Sequence, residues 1–443
     1  MTFRKHRATS TLFLVSAFAL TIAGPPAHQD PSTKFDVPAA IKAIERSIQD
    51  AYVFPERRKP LVDELERRFR AHQFSDSDPG LFTQQVTSAL QDVSHDGHLY
   101  LQDDLPQYKA EMAPVHSSTG MDAFERAEAI RDHHGLAEAR ILDGNVRYLR
   151  ISGFKWVPRL TQRAYDEALR FLSEGSACIV DVRENPGGYG EAADCLLNAV
   201  IPPGTVVFTA QEGTKVSESG TRKAVVSLSG KPLYVLVDGH TGSAAEAFSY
   251  AVQQHKVGII VGATTYGAAN NNKKFPIAPR FVLSVSYHRP VSAVSGTNWE
   301  GVGVVPDVAT MSPRALDTAL DLALNRLCST PNQDPKVVAD ARWALGRIDA
   351  RLHPSSPSLE ELKAWAGTYG PVELRYADGR LLCTRTDRPK WPQRVPLRPM
   401  SEDGLFSMDI YAFGDIRIKF GPNKLQMFFG SQAAMLEHAR SGG

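Results

Sequence analysis

The chain has 443 residues, enough for two or three domains. Lys and Arg number 50 against 49 Asp and Glu, for a formal charge of +1, and 42% of the residues are apolar. That balance is ordinary for a globular protein, and it argues against a nucleic-acid or anionic-membrane partner, which would call for a basic surface.

Taken in chain order, the first segment stands apart. Arg4, Lys5 and Arg7 precede an apolar run from Leu12 to Ala23 and a small-residue exit, Gly24-Pro25-Pro26-Ala27. This is the form of a secretory signal peptide over residues 1–27, cleaved after Ala23 or Ala27. The run is short for a membrane span, and no Cys marks a lipid anchor at the junction. The expectation is an exported protein, periplasmic or secreted, with no span once the signal is removed.

Three amphipathic helices follow. Val37, Ile41, Ile44, Ile48 and Ala51 recur in steps of three and four, as do Leu61, Leu65 and Phe69, and then Phe82, Val86, Leu90 and Val93. Pro55 and Asp78-Pro79 punctuate them. Residues 36–101 read as a helical subdomain ending in Ser94-His95-Asp96-Gly97-His98, a turn into a short strand. Residues 103–139 are too few and too polar for a PDZ domain. His133-His134 reads as a solvated loop.

From about Gly144 the pattern alternates between strand and helix. Expected strands are 146–151, 177–183, 233–238, 257–262 and 281–286, and expected helices are 160–172, 190–200, 243–255 and 315–328. This alternation predicts an α/β core over residues 140–328 with helices on both faces of a sheet. Residues 332–443 read as a helix (337–347) and, past a Pro/Ser-rich linker, a small β-rich C-terminal domain. Its strands are expected near 372–375, 380–384, 410–411, 416–420 and 425–429. The four cysteines show no C-x-x-C or Cys/His spacing for zinc, so no metal and no cofactor is expected.

The segment Val235-Leu236-Val237-Asp238-Gly239-His240-Thr241-Gly242-Ser243-Ala244-Ala245-Glu246 reads as a buried strand, a tight turn and a helix start. A hydroxyl at the positive end of a helix, beside free N–H groups, is where an acyl-transfer nucleophile is wanted. Ser243 followed three residues later by Glu246 also fits a capping box, so the segment alone leaves both readings open. Asp181-Val182-Arg183-Glu184-Asn185-Pro186-Gly187-Gly188 ends another strand in adjacent glycines, which allow close backbone approach to a ligand. It lacks the lysine of a phosphate loop. His98 and the stretch Trp299-Glu300-Gly301-Val302-Gly303-Val304-Val305-Pro306-Asp307 complete the set.

Taken together, these motifs resemble the carboxyl-terminal processing (tail-specific) serine peptidases. They are most similar to the branch that includes the interphotoreceptor retinoid-binding protein and the tricorn-like core proteases. The motifs that carry the resemblance are Asp-x-Arg-x-Asn-x-Gly-Gly, Thr-x-Ser-Ala-Ala-Glu, Gly-x-Thr-Thr-x-Gly and Glu-Gly-x-Gly-x-x-Pro-Asp, all between Val37 and Asp307. The resemblance implies an α/β, Clp protease/crotonase-like core, here with an N-terminal helical subdomain and a small β-rich C-terminal domain. It implies Ser243 as nucleophile and the amides of Gly187 (or Gly188) and Ala244 as oxyanion hole. The processing-peptidase lysine is missing: Ala268 follows Thr264-Thr265-Tyr266-Gly267, and Lys273 and Lys274 come later. The tricorn-like pattern implies instead a His98 base assisted by Glu300, with His95 as fallback. That pattern has a serine before the histidine, where this chain has Gly97, so the Glu-to-His link is broken or remade by water. The implied function is hydrolysis of peptides or unfolded protein segments through an acyl-enzyme on Ser243. The alternative is a non-catalytic module on the same fold that binds a hydrophobic ligand. Oligomerisation is left open.

Overall fold

The computed structural model describes residues 34–113, 119–212, 215–408, 416–431 and 434–441. The signal-like segment and the strand expected at 410–411 lie outside the described residues.

The first helices are Val37–Ala51, Pro55–Arg70 and Pro79–Ser94. Two begin at aspartate caps: Asp36 accepts from Ala39 N and Asp78 from Leu81 N, both at 2.9 Å, with prolines in the first turns. Their apolar stripes do not close on themselves. Ile44, Ile48, Leu61, Leu65, Phe82 and Val86 share one buried cluster with Ile277, Phe281, Leu283 and Val285, from strands far later in the sequence.

Those strands belong to a five-stranded antiparallel sheet. Its long central strand, Phe281–Ser292, pairs with Asn271–Ile277, Tyr100–Asp103 and Val206–Glu212, and the last of these pairs with Lys215–Gly220. The register sets Tyr100 opposite Ser284. This pairing draws the turn at His98 onto the core.

The core itself is a six-stranded sheet in the spatial order Val308–Ala309, Ile259–Gly262, Leu233–Val237, Ala177–Asp181, Val146–Ile151, Leu136–Leu142. All neighbours are parallel except the edge strand Leu136–Leu142. Successive side chains in a strand point to opposite faces, and here both faces are covered, which explains the unbroken apolar runs. Cys178 and Val180 pack with Leu196, Phe248 and Val252 on one face. Ala177 and Ile179 pack on the other with Ala319, Leu320 and Leu324 of helix Ser312–Ser329. Helix Pro335–Leu352 adds Ala341, Ala344 and Ile348 to that second face.

Among the described residues from 367 to 439, eight strands form an antiparallel meander, with a bridge between Tyr369 and Arg440. Its interior is filled by side chains such as Phe406, Phe420 and Met427, with Leu362 and Trp365 of helix Leu359–Trp365 packed against them. The α/β core, the helical N-terminal region and the β-rich C-terminal sheet therefore agree with the fold class read from the sequence. Cys178, Cys195, Cys328 and Cys383 are all free, and three of them are buried. No helix among the described residues is long and apolar enough to cross a membrane.

Candidate active site

Strands Ala177–Asp181 and Leu233–Val237 are parallel neighbours, so the turns at their C-terminal ends emerge side by side. The turns are riveted together. Thr241 Oγ1 donates to Val182 O at 2.8 Å, Glu184 N to Asp238 Oδ1 at 3.1 Å, and Gly242 N to Asn185 O at 2.9 Å. Asp181 and Arg183 lie beneath as a structural pair, with Arg183 Nη2 donating to Asp181 Oδ2 at 2.6 Å and Tyr148 Oη to the same oxygen at 2.7 Å.

Ser243 stands immediately before helix Ala244–Gln254, with φ 47° and ψ −116°. A non-glycine residue at positive φ costs of order 1–3 kcal/mol and persists only when its surroundings over-determine it. The restraint is Glu246, buried completely. Its Oε2 accepts from Ser243 N and Ala268 N, each at 2.9 Å, and its Oε1 from Thr265 Oγ1 at 2.5 Å and Gly267 N at 2.6 Å. The carboxylate half of the capping box is thus real, and it also ties the Thr-Thr-x-Gly turn to the serine elbow.

The facing glycine turn passes very close. A Cβ on Gly187 (φ 106°) would stand 2.7 Å from Ser243 Cβ and 2.9 Å from Ala244 N, so only glycine fits. The expected amide donor of this turn is Gly187 or Gly188, and the structure engages the amide of Gly187. Its N–H already donates to Asn185 Oδ1 at 2.8 Å, and its carbonyl accepts from Phe154 N at 2.8 Å. Tyr189 N donates to Phe154 O at 2.8 Å. Among the described residues, this leaves the N–H groups of Gly188 and Ala244 without a protein acceptor beside Ser243. Ala244 is the first residue of its helix, where amides are unpaired by construction.

His98, Ser243, Gly188 and Ala244 line one cleft of about 600 Å³, and His98 and Ser243 also line an adjoining recess with Pro186, His240 and Tyr266. No hydrogen bond joins Ser243 Oγ to the His98 ring. Such contacts are often long before substrate binds. His98 is held through its backbone: its N donates to Asp96 Oδ1 at 2.9 Å, and its carbonyl accepts from Ser284 Oγ at 2.6 Å. Burial pushes the imidazole pKa down, against the nearby Asp96 carboxylate, and Lys274 adds to the lowering. The ring is therefore biased toward its neutral, proton-accepting form.

Glu300 approaches from the Gly-rich turn. Its Oε2 accepts from Ala269 N at 2.6 Å and Asn270 N at 2.9 Å. Burial and then the Asp96 charge raise its pKa to about 7. One donor atom each of Asp96, His98 and Glu300 lies within 4.8 Å of the other two. Tyr266 covers the place where a side chain on Gly97 would stand, with its ring 3.5 Å from such a Cβ.

The alternative bases are placed elsewhere. Lys274 Nζ donates to Tyr100 Oη at 2.7 Å and lies over that ring, and Lys273 lies over Phe275. His95 is an exposed left-handed cap of helix Pro79–Ser94 and lines neither recess.

Sequence reasoning missed Asp96, two residues before His98; Asn185, whose amide occupies the Gly187 N–H; and Asn270. The last is fully buried in the cleft wall, and neither of its side-chain amide atoms has a partner. Only the Asp-x-His and Asp-x-Arg-x-Asn spacings hinted at the first two.

Residues 145–310, which hold Ser243, the glycine turn and Glu300, match the model of Peptidase family S41. Over these residues the chain is similar to that family. It is 25% identical over 186 residues to the carboxy-terminal-processing protease of Bartonella bacilliformis, covering 39% of this chain and 40% of that protein. It is 29% identical over 178 residues to the carboxyl-terminal-processing protease of Synechocystis sp., covering 38% and 39%. A tricorn protease homolog of Saccharolobus solfataricus is 27% identical over 194 residues, covering 40% of this chain and 17% of that protein. The chain thus spans well under half the length of these relatives.

Proposed function

We propose that this chain is an exported serine endopeptidase of family S41 acting on peptides or unfolded protein segments. The observation that carries the reading is the strained Ser243 elbow facing two unpaired amides, with His98 in the same cleft. In this reading Ser243 Oγ attacks the scissile carbonyl carbon and its proton passes to His98. The N–H groups of Gly188 and Ala244 hold the oxyanion. The imidazolium is favoured by the Asp96 and Glu300 carboxyl groups beside it, and it returns the proton to the departing amine. Water then hydrolyses the acyl-enzyme, with His98 as base. Leu197, Phe208 and Trp299 line the cleft and supply an apolar wall for a side chain.

That wall also supports the second reading, a binding site for an apolar ligand. Casein hydrolysis by wild type, Ser243→Ala and His98→Ala separates the two. The peptidase reading expects both variants to be folded and inactive. Equal hydrolysis by wild type and Ser243→Ala, or none by wild type together with saturable binding of an apolar dye, would favour the ligand module.

A further inference from the structure

Buried polar atoms are nearly always partnered, because leaving one bare costs about 1–3 kcal/mol and more if it is charged. Three such bare atoms occur at the corner beside the cleft: Asp96 Oδ2, His98 Nδ1 and Glu300 Oε1. They come from the three residues whose donor atoms converge within 4.8 Å, and Asp96 is only 2% exposed. The Tyr52 hydroxyl lies close enough to interact with the Asp96 carboxylate and the Gly97 amide with the Glu300 carboxylate, but neither reaches full hydrogen-bond geometry to Asp96 Oδ2 or Glu300 Oε1. The nearby cations are engaged elsewhere, Lys274 with Tyr100 and Arg57 with the Ser94 carbonyl at 3.0 Å.

Two carboxylates this close call for a positive charge between them. A single proton bridges one pair of atoms and leaves the third bare. A divalent ion can take a lone pair from all three. One imidazole nitrogen and two carboxylate oxygens make a set that suits zinc, with a fourth position left open. An ion about 2.0–2.2 Å from each donor would draw the three atoms closer together than their present spacing of up to 4.8 Å.

We propose that Asp96, His98 and Glu300 form a binding site for a divalent transition ion of the zinc type, and that an ion there reversibly silences the peptidase. The binding claim stands on the three residues alone. The silencing claim rests on His98 serving as base, since a metal-bound imidazole has no lone pair to offer Ser243. No local spacing announces this site, because Glu300 is remote in sequence from the Asp-x-His pair.

The test is equilibrium dialysis of untagged Ser243→Ala protein against zinc chloride, beside versions that also carry Glu300→Gln or Asp96→Asn. Thermal melts show that each is folded. The expected result is one zinc per chain for Ser243→Ala, raising its melting temperature, and at least about tenfold weaker binding in both double variants. No zinc uptake by Ser243→Ala, or equal uptake by all three, overturns the site. In parallel, casein hydrolysis by wild type should fall with zinc and return with chelator. Undiminished hydrolysis at saturating zinc overturns the silencing. If wild type never hydrolyses casein while Ser243→Ala binds zinc through these residues, the site stands and the peptidase reading falls.

Discussion

Two glutamates flank the cleft, Glu246 fully buried and Glu300 half-buried, and they differ in how completely they are used. Glu246 has both oxygens filled by four donors drawn from the serine elbow and the Thr-Thr-x-Gly turn. Glu300 has one oxygen filled by two amides, while the other is buried and bare next to Asp96 and His98. A saturated carboxylate fixes geometry. A half-satisfied one keeps electrostatic capacity in reserve, at a cost in stability. The contrast separates a scaffold from a reactive corner within one site.

The largest expected effect lies with the group that both glutamates serve. Ser243→Ala should lower kcat by about 10⁴-fold or more while leaving the urea midpoint near wild type. An unaltered rate would remove the elbow from the chemistry. Next comes His98→Ala, expected to cost about 10³-fold in kcat. A loss as small as twofold would move the base elsewhere.

The glutamine pair tests the contrast itself. In Glu300→Gln the amide oxygen can keep both loop N–H groups and the new NH₂ can face Asp96. Stability should change by no more than about 1 kcal/mol while kcat falls about a hundredfold. In Glu246→Gln the NH₂ is forced against donors whichever way it turns, so urea unfolding should show a loss of about 2–3 kcal/mol. Similar stability losses in both variants would erase the distinction. The smallest effect is expected for Lys274→Ala: its partner is Tyr100, so kcat should stay within about twofold of wild type. A large drop in kcat with unchanged stability would restore a lysine base.

Much of this was legible along the chain. Stripes at Ile41, Ile44 and Ile48, and the runs at 177–181 and 233–237, declare their elements because burial acts on residues a few positions apart. The turn at Gly242-Ser243 was legible for the same reason, since strand, glycine and helix cap are contiguous. The meander past residue 366 was read with too few strands. Strand 395–399 carries two prolines, and strand 405–408 is very short, so neither shows a long alternating pattern.

That the Gly187 amide is engaged while the Gly188 amide is not was not legible. It depends on where the Asn185 side chain turns, and adjacent glycines look alike in a sequence. Nor could the sequence show that the lysines after Asn272 stack on Tyr100 and Phe275, since that follows from the register of the five-stranded sheet.

By itself, then, the sequence determined the local elements, the strand-to-helix elbow at Ser243 and the candidate residue types, because short-range periodicity and turn chemistry are written in contiguous residues. Only the tertiary structure decided which of them meet. His98 comes to the cleft because Tyr100–Asp103 adds to strand Phe281–Ser292, and Glu300 because its turn folds back over Ala269 and Asn270. Those contacts join segments far apart along the chain, and they are set by burial and backbone pairing over the whole fold.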